Sequence, residues 1–315
     1  MSDVKKVATR DSYGKTLIAL AEEGHDDFVV LDADLAASTR TGKFAKVRPD
    51  RFYDCGIAEA NMMGVAAGIA TTGHPVFASS FAMFAAGRAF EQVRNSIGYP
   101  HLNVKVCATH AGISVGEDGA THQCCEDIAL MRTIPGMTVV SPADDVEACA
   151  AIRAAYETDG PFYVRLGRLA VPVINDRPDY HFELGRGVLL REGSDVTVVA
   201  TGIEVAAALD AADALAGEGI SCEVIDIHTI KPLDADIICQ SAAKTGRVVT
   251  VEEHSIIGGL GGAVCEALAE KQPTPVRRVG VNDVFGESGP ALELLAKYGL
   301  DGAGVAKQIR SFVQG

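Results

Sequence analysis

The feature that most constrains the fold of this chain is a regular alternation. Short runs of β-branched and aliphatic residues are separated by longer segments whose apolar positions recur at helical spacing. Phe28–Leu31, Pro75–Ala78, Val104–Ala108, Thr138–Val140 and Phe162–Arg165 read as strands. Ala58–Thr71, Phe81–Gly98 and Pro142–Glu157 read as helices, with Pro142 suited to a first helical turn. Strands alternating with helices predict an α/β fold, a mostly parallel sheet with helices on both faces. The pattern lapses between Val171 and Arg186, where two prolines and mixed charges read as a linker. It restarts with strands at Val196–Ala200, Cys222–Ile227, Val248–Val251 and Val276–Val279. Helices are predicted over Glu204–Gly217, Asp234–Lys244, Gly259–Lys271 and about Gly302–Val313. Two such domains are expected, 1–175 and 187–315, joined by residues 176–186, which suits a length of 315 residues.

Charge narrows the partners. With 28 Lys and Arg against 42 Asp and Glu the net charge is −14, which argues against nucleic acid and against an anionic membrane surface. Trp is absent and aromatics make up 6%, so the core must be built from Ala, Val, Ile and Leu. One run, Ala60 to Gly87, has no Asp, Glu, Lys or Arg for 28 residues and is long enough to span a bilayer. Thr71-Thr-Gly-His-Pro75 interrupts it, so it reads as helix, turn, strand and the start of another helix, all buried. The eight cysteines include no Cys-x-x-Cys pair and mostly lie in apolar stretches, as free thiols in a reducing compartment would. Met1-Ser-Asp-Val-Lys-Lys6 lacks the apolar run of a secretory signal, and a cytoplasmic location is expected.

Two stretches carry candidate chemistry. The longest strand-to-helix connection, Thr109–Gln123, holds His110, Glu117, Asp118 and His122. Ligands in open parallel sheets bind outside the carboxyl ends of strands, and connections well beyond about 4–6 residues tend to be functional. A solvated loop with incidental histidines is the plainer alternative. A metal set of His110, Asp118, His122, Cys124 and Cys125 matches no zinc ligand spacing, so no metal ligand is expected on this chain. The second stretch is Tyr53-Asp-Cys-Gly-Ile57-Ala-Glu59-Ala-Asn-Met62, where Glu59 is a lone carboxylate at the head of the uncharged run. It is either a first-turn glutamate favoured by the helix dipole or a carboxyl walled by apolar groups, with a raised pKa that lets it keep or share a proton.

Taken together, Tyr53–Met62, Ser80-Phe81-Ala-Met-Phe84 and Gly116-Glu-Asp118-Gly-Ala-Thr-His122-Gln123 resemble the transketolase family in order and spacing. The resemblance covers nearly all of the chain but only the C-terminal half of a full-length member, its pyrimidine-binding and C-terminal domains. It implies thiamine diphosphate as cofactor. It implies Glu59 as the glutamate that hydrogen-bonds the pyrimidine N1′, and Phe81 and Phe84 as aromatics packed on the pyrimidine, beside the plainer reading of two phenylalanines on one buried helix face. Ile57 and Asp34 join the cofactor-binding set. The family's third aromatic position is Gly87 here, and the polar residues it often has after the first histidine are Ala111 and Gly112. His110 is implied near the acceptor phosphate or sugar hydroxyls, Asp118 at the C2 hydroxyl, and His122 at the donor's C1 hydroxyl, where an imidazole suits proton transfer. Arg10 in Thr9-Arg10, Ser38 in Asp34-Leu-Ala-Ala-Ser38, His110 and Arg168 are implied to converge on one phosphate, which an arginine fork suits; read alone, Arg10 and Arg168 are ordinary surface residues.

The family holds Mg²⁺ and the diphosphate with a Gly-Asp-Gly…Asn segment, and no Gly-Asp-Gly occurs here. The resemblance therefore implies that a separate N-terminal transketolase subunit supplies the diphosphate and Mg²⁺ ligands, in an α2β2 assembly with self-association through this chain. The implied activity is transfer of a two-carbon ketol unit from a ketose phosphate to an aldose or aldose phosphate. The alternatives are a deoxyxylulose-phosphate synthase-like subunit, a 2-oxoacid dehydrogenase β-like subunit, which lacks the Gly116–Gln123 pattern, and a regulatory or assembly subunit. Gly258-Gly-Leu-Gly-Gly262 reads mainly as close packing, though a Gly-rich turn before a helix also suits phosphate.

Overall fold

The computed structural model describes residues 5–315; Met1–Val4, on which part of the N-terminal reading rests, lie outside the described residues. Fourteen strands are present among them. In chain order they are β1 Lys6–Ala8, β2 Val29–Asp32, β3 Phe52–Asp54, β4 Val76–Phe81, β5 Val104–Thr109, β6 Thr138–Val140, β7 Phe162–Arg165, β8 Ala170–Pro172, β9 Val188–Arg191, β10 Val196–Ala200, β11 Cys222–Asp226, β12 Thr229–Lys231, β13 Val248–Ser255 and β14 Val276–Val281. A seven-stranded sheet runs β12-β6-β7-β5-β4-β2-β3, and a five-stranded sheet runs β14-β13-β10-β11-β9. Within these two sheets pairing is parallel except where β12 and β9 add antiparallel edges. The fold is thus two α/β units with mostly parallel sheets flanked by helices. β2, β4 and β5 are buried along their whole length, as parallel strands covered on both faces must be.

The helix Glu59–Ala70 buries Glu59, Met62, Met63, Ala66, Ala67 and Ala70, one face at spacings of three and four. That face accounts for the uncharged run: it packs against β4, which follows the turn at Thr71–His74. Among the described residues no helix is long and apolar enough to cross a membrane.

Several elements differ from the sequence expectation. β4 continues through Ser79 and Ser80 to Phe81, because β5 pairs with it residue for residue up to Phe81 opposite Thr109. Phe81 therefore ends a strand and does not open a helix. Past Ala82 the chain widens into i→i+5 turns over Met83–Arg88 and Val93–Gly98, flanking Phe90–Gln92. The helix expected from Pro142 starts at Asp145, because the Asp144 side chain accepts the Glu147 N–H and caps it there. Helices Thr9–Glu22, Asp127–Arg132 and Ala291–Tyr298 were not anticipated. Neither were β12, by which the second unit lends an edge strand to the first unit's sheet, and β8, which pairs antiparallel with β1 at the start of the stretch where the pattern lapses.

Candidate active site

The β1–β8 ribbon sets the anion-facing end. It brings Thr9 beside Gly167, whose N–H donates to Thr9 Oγ1 at 2.8 Å, and so seats Arg10 alongside Arg168. Arg10 Nη1 donates to the Ser38 carbonyl and to His110 Nε2, each at 3.1 Å. The short helix Ala36–Thr39 carrying Ser38 is pinned by buried Asp32, which accepts from Leu35 N at 2.7 Å, Thr39 Oγ1 at 2.6 Å and Thr41 Oγ1 at 2.8 Å. Arg168 Nη1 donates to Glu117 at 2.9 Å and to the Val115 carbonyl. Arg10, Ser114, Glu117, Arg168 and Ala291 line a cleft of about 260 Å³. Arg10 Nε is buried without a hydrogen-bond partner among the described residues. Burial foremost, then Arg40, holds Arg10 below the usual arginine pKa; Arg168 adds to this and Asp11 opposes it. Two neighbouring arginines, one with an unused buried donor and the other paired only with an exposed glutamate, are what an anionic ligand fits.

His110 links this end to an aromatic strip. Its backbone at φ 56° turns the ring, which stacks on Phe81 at 3.8 Å between centroids and 26° between planes. Burial foremost, then Arg10, pushes its pKa down to about 3. The ring is therefore neutral at ordinary pH. Because an arginine N–H can only donate, Nε2 accepts and the proton is assigned to Nδ1, 2.9 Å from Thr109 Oγ1. His110 is thus a neutral hydrogen-bonding group whose donor and acceptor faces are fixed by Thr109 and Arg10. Phe81 stacks with Phe84 at 5.9 Å and 17°, and half-buried His122 stands edge-on to Phe84 at 5.3 Å.

Glu59 closes the other end. It is 2% exposed, at the first turn of its helix. Arg88 Nη1 donates to its Oε2 at 2.8 Å, and the same guanidinium lies over the Phe84 ring at 4.6 Å. Of the two sequence readings of Glu59, the first-turn position holds, and where the other expects an apolar wall the structure supplies a cation. Arg88 was missed although a signal exists, since it is the first charged residue after the uncharged run. The result is one connected line built from the segments that follow β3, β4, β5 and β1: Glu59, Arg88, Phe84, Phe81 with His122, His110, Arg10.

The sequence matches two family profiles, the transketolase pyrimidine binding domain over residues 5–173 and the transketolase C-terminal domain over residues 185–305. This chain belongs to the transketolase family. It is similar to the 6-deoxy-6-sulfo-D-fructose transketolase subunit SqwH of a Clostridium species, 48% identical over 291 residues that cover 92% of this chain and 90% of the relative. It is also similar to one of the subunits of the apulose-4-phosphate transketolase of Phocaeicola vulgatus, 40% identical over 308 residues, 98% of each chain. Among solved structures, a split gene transketolase described as an inactive beta4 tetramer matches at TM-score 0.89 and 52% identity, covering 98% of this chain and 99% of that one. The chain is thus a member of the split transketolase β-subunit group.

Not every residue the transketolase resemblance implies joins the line. Asp34, Ile57 and Asp118 are exposed, Ile57 at 77%. Among the described residues their side chains make no hydrogen bond to it; the Asp34 N–H donates to Asp54 at 3.0 Å. Ser38 contributes its carbonyl to Arg10. The metal set weighed for the 110–125 stretch does not gather, and among the described residues no cluster of three His, Cys, Asp or Glu is placed to hold a metal ion. The amides of the Gly-rich turn are already used: Leu260 N and Gly261 N donate to buried Glu252 at 2.6 and 2.8 Å. A Cβ on Gly259 would lie 2.0 Å from the Glu252 carboxylate, so these glycines serve close packing around an internal anion.

Proposed function

We propose that this chain is the pyrimidine-side subunit of a two-chain transketolase, moving a two-carbon ketol unit between sugars with an anionic terminus. The observation that carries the reading is the unbroken line from a buried carboxylate through two stacked phenylalanines to Arg10, beside which Arg168 is paired only with exposed Glu117. The aminopyrimidine of thiamine diphosphate fits its first part: a flat aromatic face beside a carboxylate buried at a helix start. When bound, thiamine diphosphate supplies the carbon nucleophile for two-carbon transfer. Glu59 would hold the pyrimidine at N1′, with Phe81 and Phe84 against the ring, which requires Arg88 to share or yield the Glu59 carboxylate and to leave the Phe84 ring. His110, held neutral, orients the substrate as a hydrogen-bonding partner. His122 moves a proton at the donor's hydroxyl. Arg10 and Arg168 neutralise the anionic end; a phosphate and a sulfonate present the same fork-compatible oxygens, which agrees with relatives named for both kinds of sugar.

The diphosphate and Mg²⁺ ligands belong to a partner carrying the Gly-Asp-Gly…Asn element. A surface for association is available: Asn61, Gly64, Val65 and Gly68 on the helix Glu59–Ala70, with Tyr53 and Ile57, form an exposed uncharged face next to Glu59. The test is to co-purify the chain with such a partner and screen ketose donors against aldose acceptors, with and without thiamine diphosphate and Mg²⁺. Transfer only in the loaded pair is expected. Full transfer by this chain alone sinks the two-chain reading, and no transfer from any donor sinks the reaction class.

A further inference from the structure

The loop 109–123 is held as much by the second unit as by its own. Ile113, at its tip, is fully buried within the apolar core of the C-terminal sheet. Ser114 N–H donates to Glu253 Oε1 of β13 at 2.5 Å. Gly112 adopts φ +78° against that carboxyl group, and a Cβ there would come within 2.2 Å of its carbon. Gln123 Nε2 donates to the loop carbonyls of Ile113 at 3.1 Å and Gly116 at 3.4 Å, and across the interface to the Glu287 carbonyl at 2.9 Å. The residue after Ser114 offers its carbonyl to Arg168, and Glu117 takes the same guanidinium. Glu253 thereby reaches the anion-facing cleft in two steps, through Ser114 to Val115 and Arg168.

We infer that Glu253 is a positioning residue, by which the C-terminal domain shapes the loop that aims Arg168 at the anionic end of the substrate. The inference rests on the transfer reading above and deepens it: the C-terminal domain takes part in substrate recognition without touching substrate. Glu253 is 3% exposed and accepts the Ser114 N–H as a charge-assisted bond when ionised. Burial pushes its pKa up to about 7, with Arg165 of β7 the largest opposing influence and Asp127 raising it. Cys125 and Glu204, from the connection before Asp127 and from the helix Glu204–Ala216, also face it, as their own shifts record. The hold on Ser114 is therefore strongest above about pH 7 and weakens below it.

Glu253→Met removes the acceptor at near-equal volume, Glu253→Gln keeps one, and Gln123→Met cuts the loop's other tie. Hydrogen exchange on the isolated chain reads the anchor directly. In Glu253→Met the Ser114 amide should exchange at least about tenfold faster, with β4 and β5 unchanged, and Glu253→Gln should recover most of the protection. In the assembled enzyme, Glu253→Met and Gln123→Met should raise KM for a phosphorylated donor about tenfold. kcat, thiamine diphosphate affinity and KM for an unphosphorylated donor should stay within about twofold. The wild-type KM for the phosphorylated donor should rise below pH 7 relative to the Gln variant. Unchanged Ser114 exchange overturns the proposal, as does an equal KM rise for both donors. If the wild-type pair transfers nothing, the transfer reading fails by itself, and the exchange result still decides whether Glu253 anchors the loop.

Discussion

Replacing Asp226 by Asn should stabilise this protein, and more so as pH rises. Asp226 ends β11 fully buried, and neither of its carboxylate oxygens has a hydrogen-bond partner among the described residues. Its neighbour across the two units is Glu147, equally buried, which accepts from Ala143 N at 2.6 Å and Tyr180 Oη at 2.7 Å. Asp144 completes the group, its charge already used by the N–H groups of Ile174 at 2.7 Å and Asn175 at 2.6 Å. A proton shared between Asp226 and Glu147 bridges the two, and the Asn175 side chain also faces Asp226. Burial foremost raises both acids, Glu147 to about 7 and Asp226 well above its ordinary value; the charges of Glu147 and Asp144 push Asp226 further up, while for Glu147 Asp144 raises and the hydrogen bond with Asp226 lowers. An acid raised on folding is fully stabilising while protonated, below its unfolded pKa near 4, and loses that contribution as pH climbs to its folded pKa. One proton held across roughly two pH units corresponds to about 3 kcal/mol. Asn at 226 removes the Asp226 titration and keeps an N–H that can donate to ionised Glu147. The stability difference between variant and wild type, from urea unfolding monitored by circular dichroism, should therefore be larger at pH 8 than at pH 5 by about 2–4 kcal/mol. That is a melting-temperature gain of roughly 4–12 °C. A difference that is the same at both pH values, or that shrinks toward pH 8, would refute the shared-proton argument.

Four further outcomes follow from the site. Glu59→Gln keeps an acceptor for Arg88, so the melting temperature should barely move while transfer by the assembled enzyme falls at least about 100-fold; near-wild-type turnover removes Glu59 from its assigned role. Arg88→Met leaves the buried Glu59 carboxylate unpaired and should lower stability by about 1–3 kcal/mol in thermal unfolding, more than Glu59→Gln does. Gly112→Ala forces a Cβ into the Glu253 carboxyl at a backbone angle that L residues resist, and should cost about 2–4 kcal/mol or the soluble yield. Stripping thiamine diphosphate and Mg²⁺ from the loaded pair by chelation and gel filtration should abolish transfer, and adding both back should restore it; transfer that survives stripping counts against the cofactor assignment.

What was legible from the residues alone is what burial writes locally. The alternation of strand and helix periods announced two parallel α/β units, because an element buried on both faces or on one stripe needs apolar residues at a fixed spacing. The runs around Glu59 and Asp118 mark the family by residue type and spacing alone. The tertiary structure alone decided which of those residues meet. Phe81 belongs to a strand and not to a helix because β5 pairs with it, a partner supplied from outside the local stretch. Arg10 reaches Arg168 only through a ribbon that closes β1 onto β8. Arg88 sits on a carboxylate 29 residues away, and Glu253 holds an amide 139 residues away. Such contacts between single polar groups leave no periodic trace in a sequence; they exist because burial obliges each donor and acceptor to find a partner, and only the folded chain decides which partner is within reach.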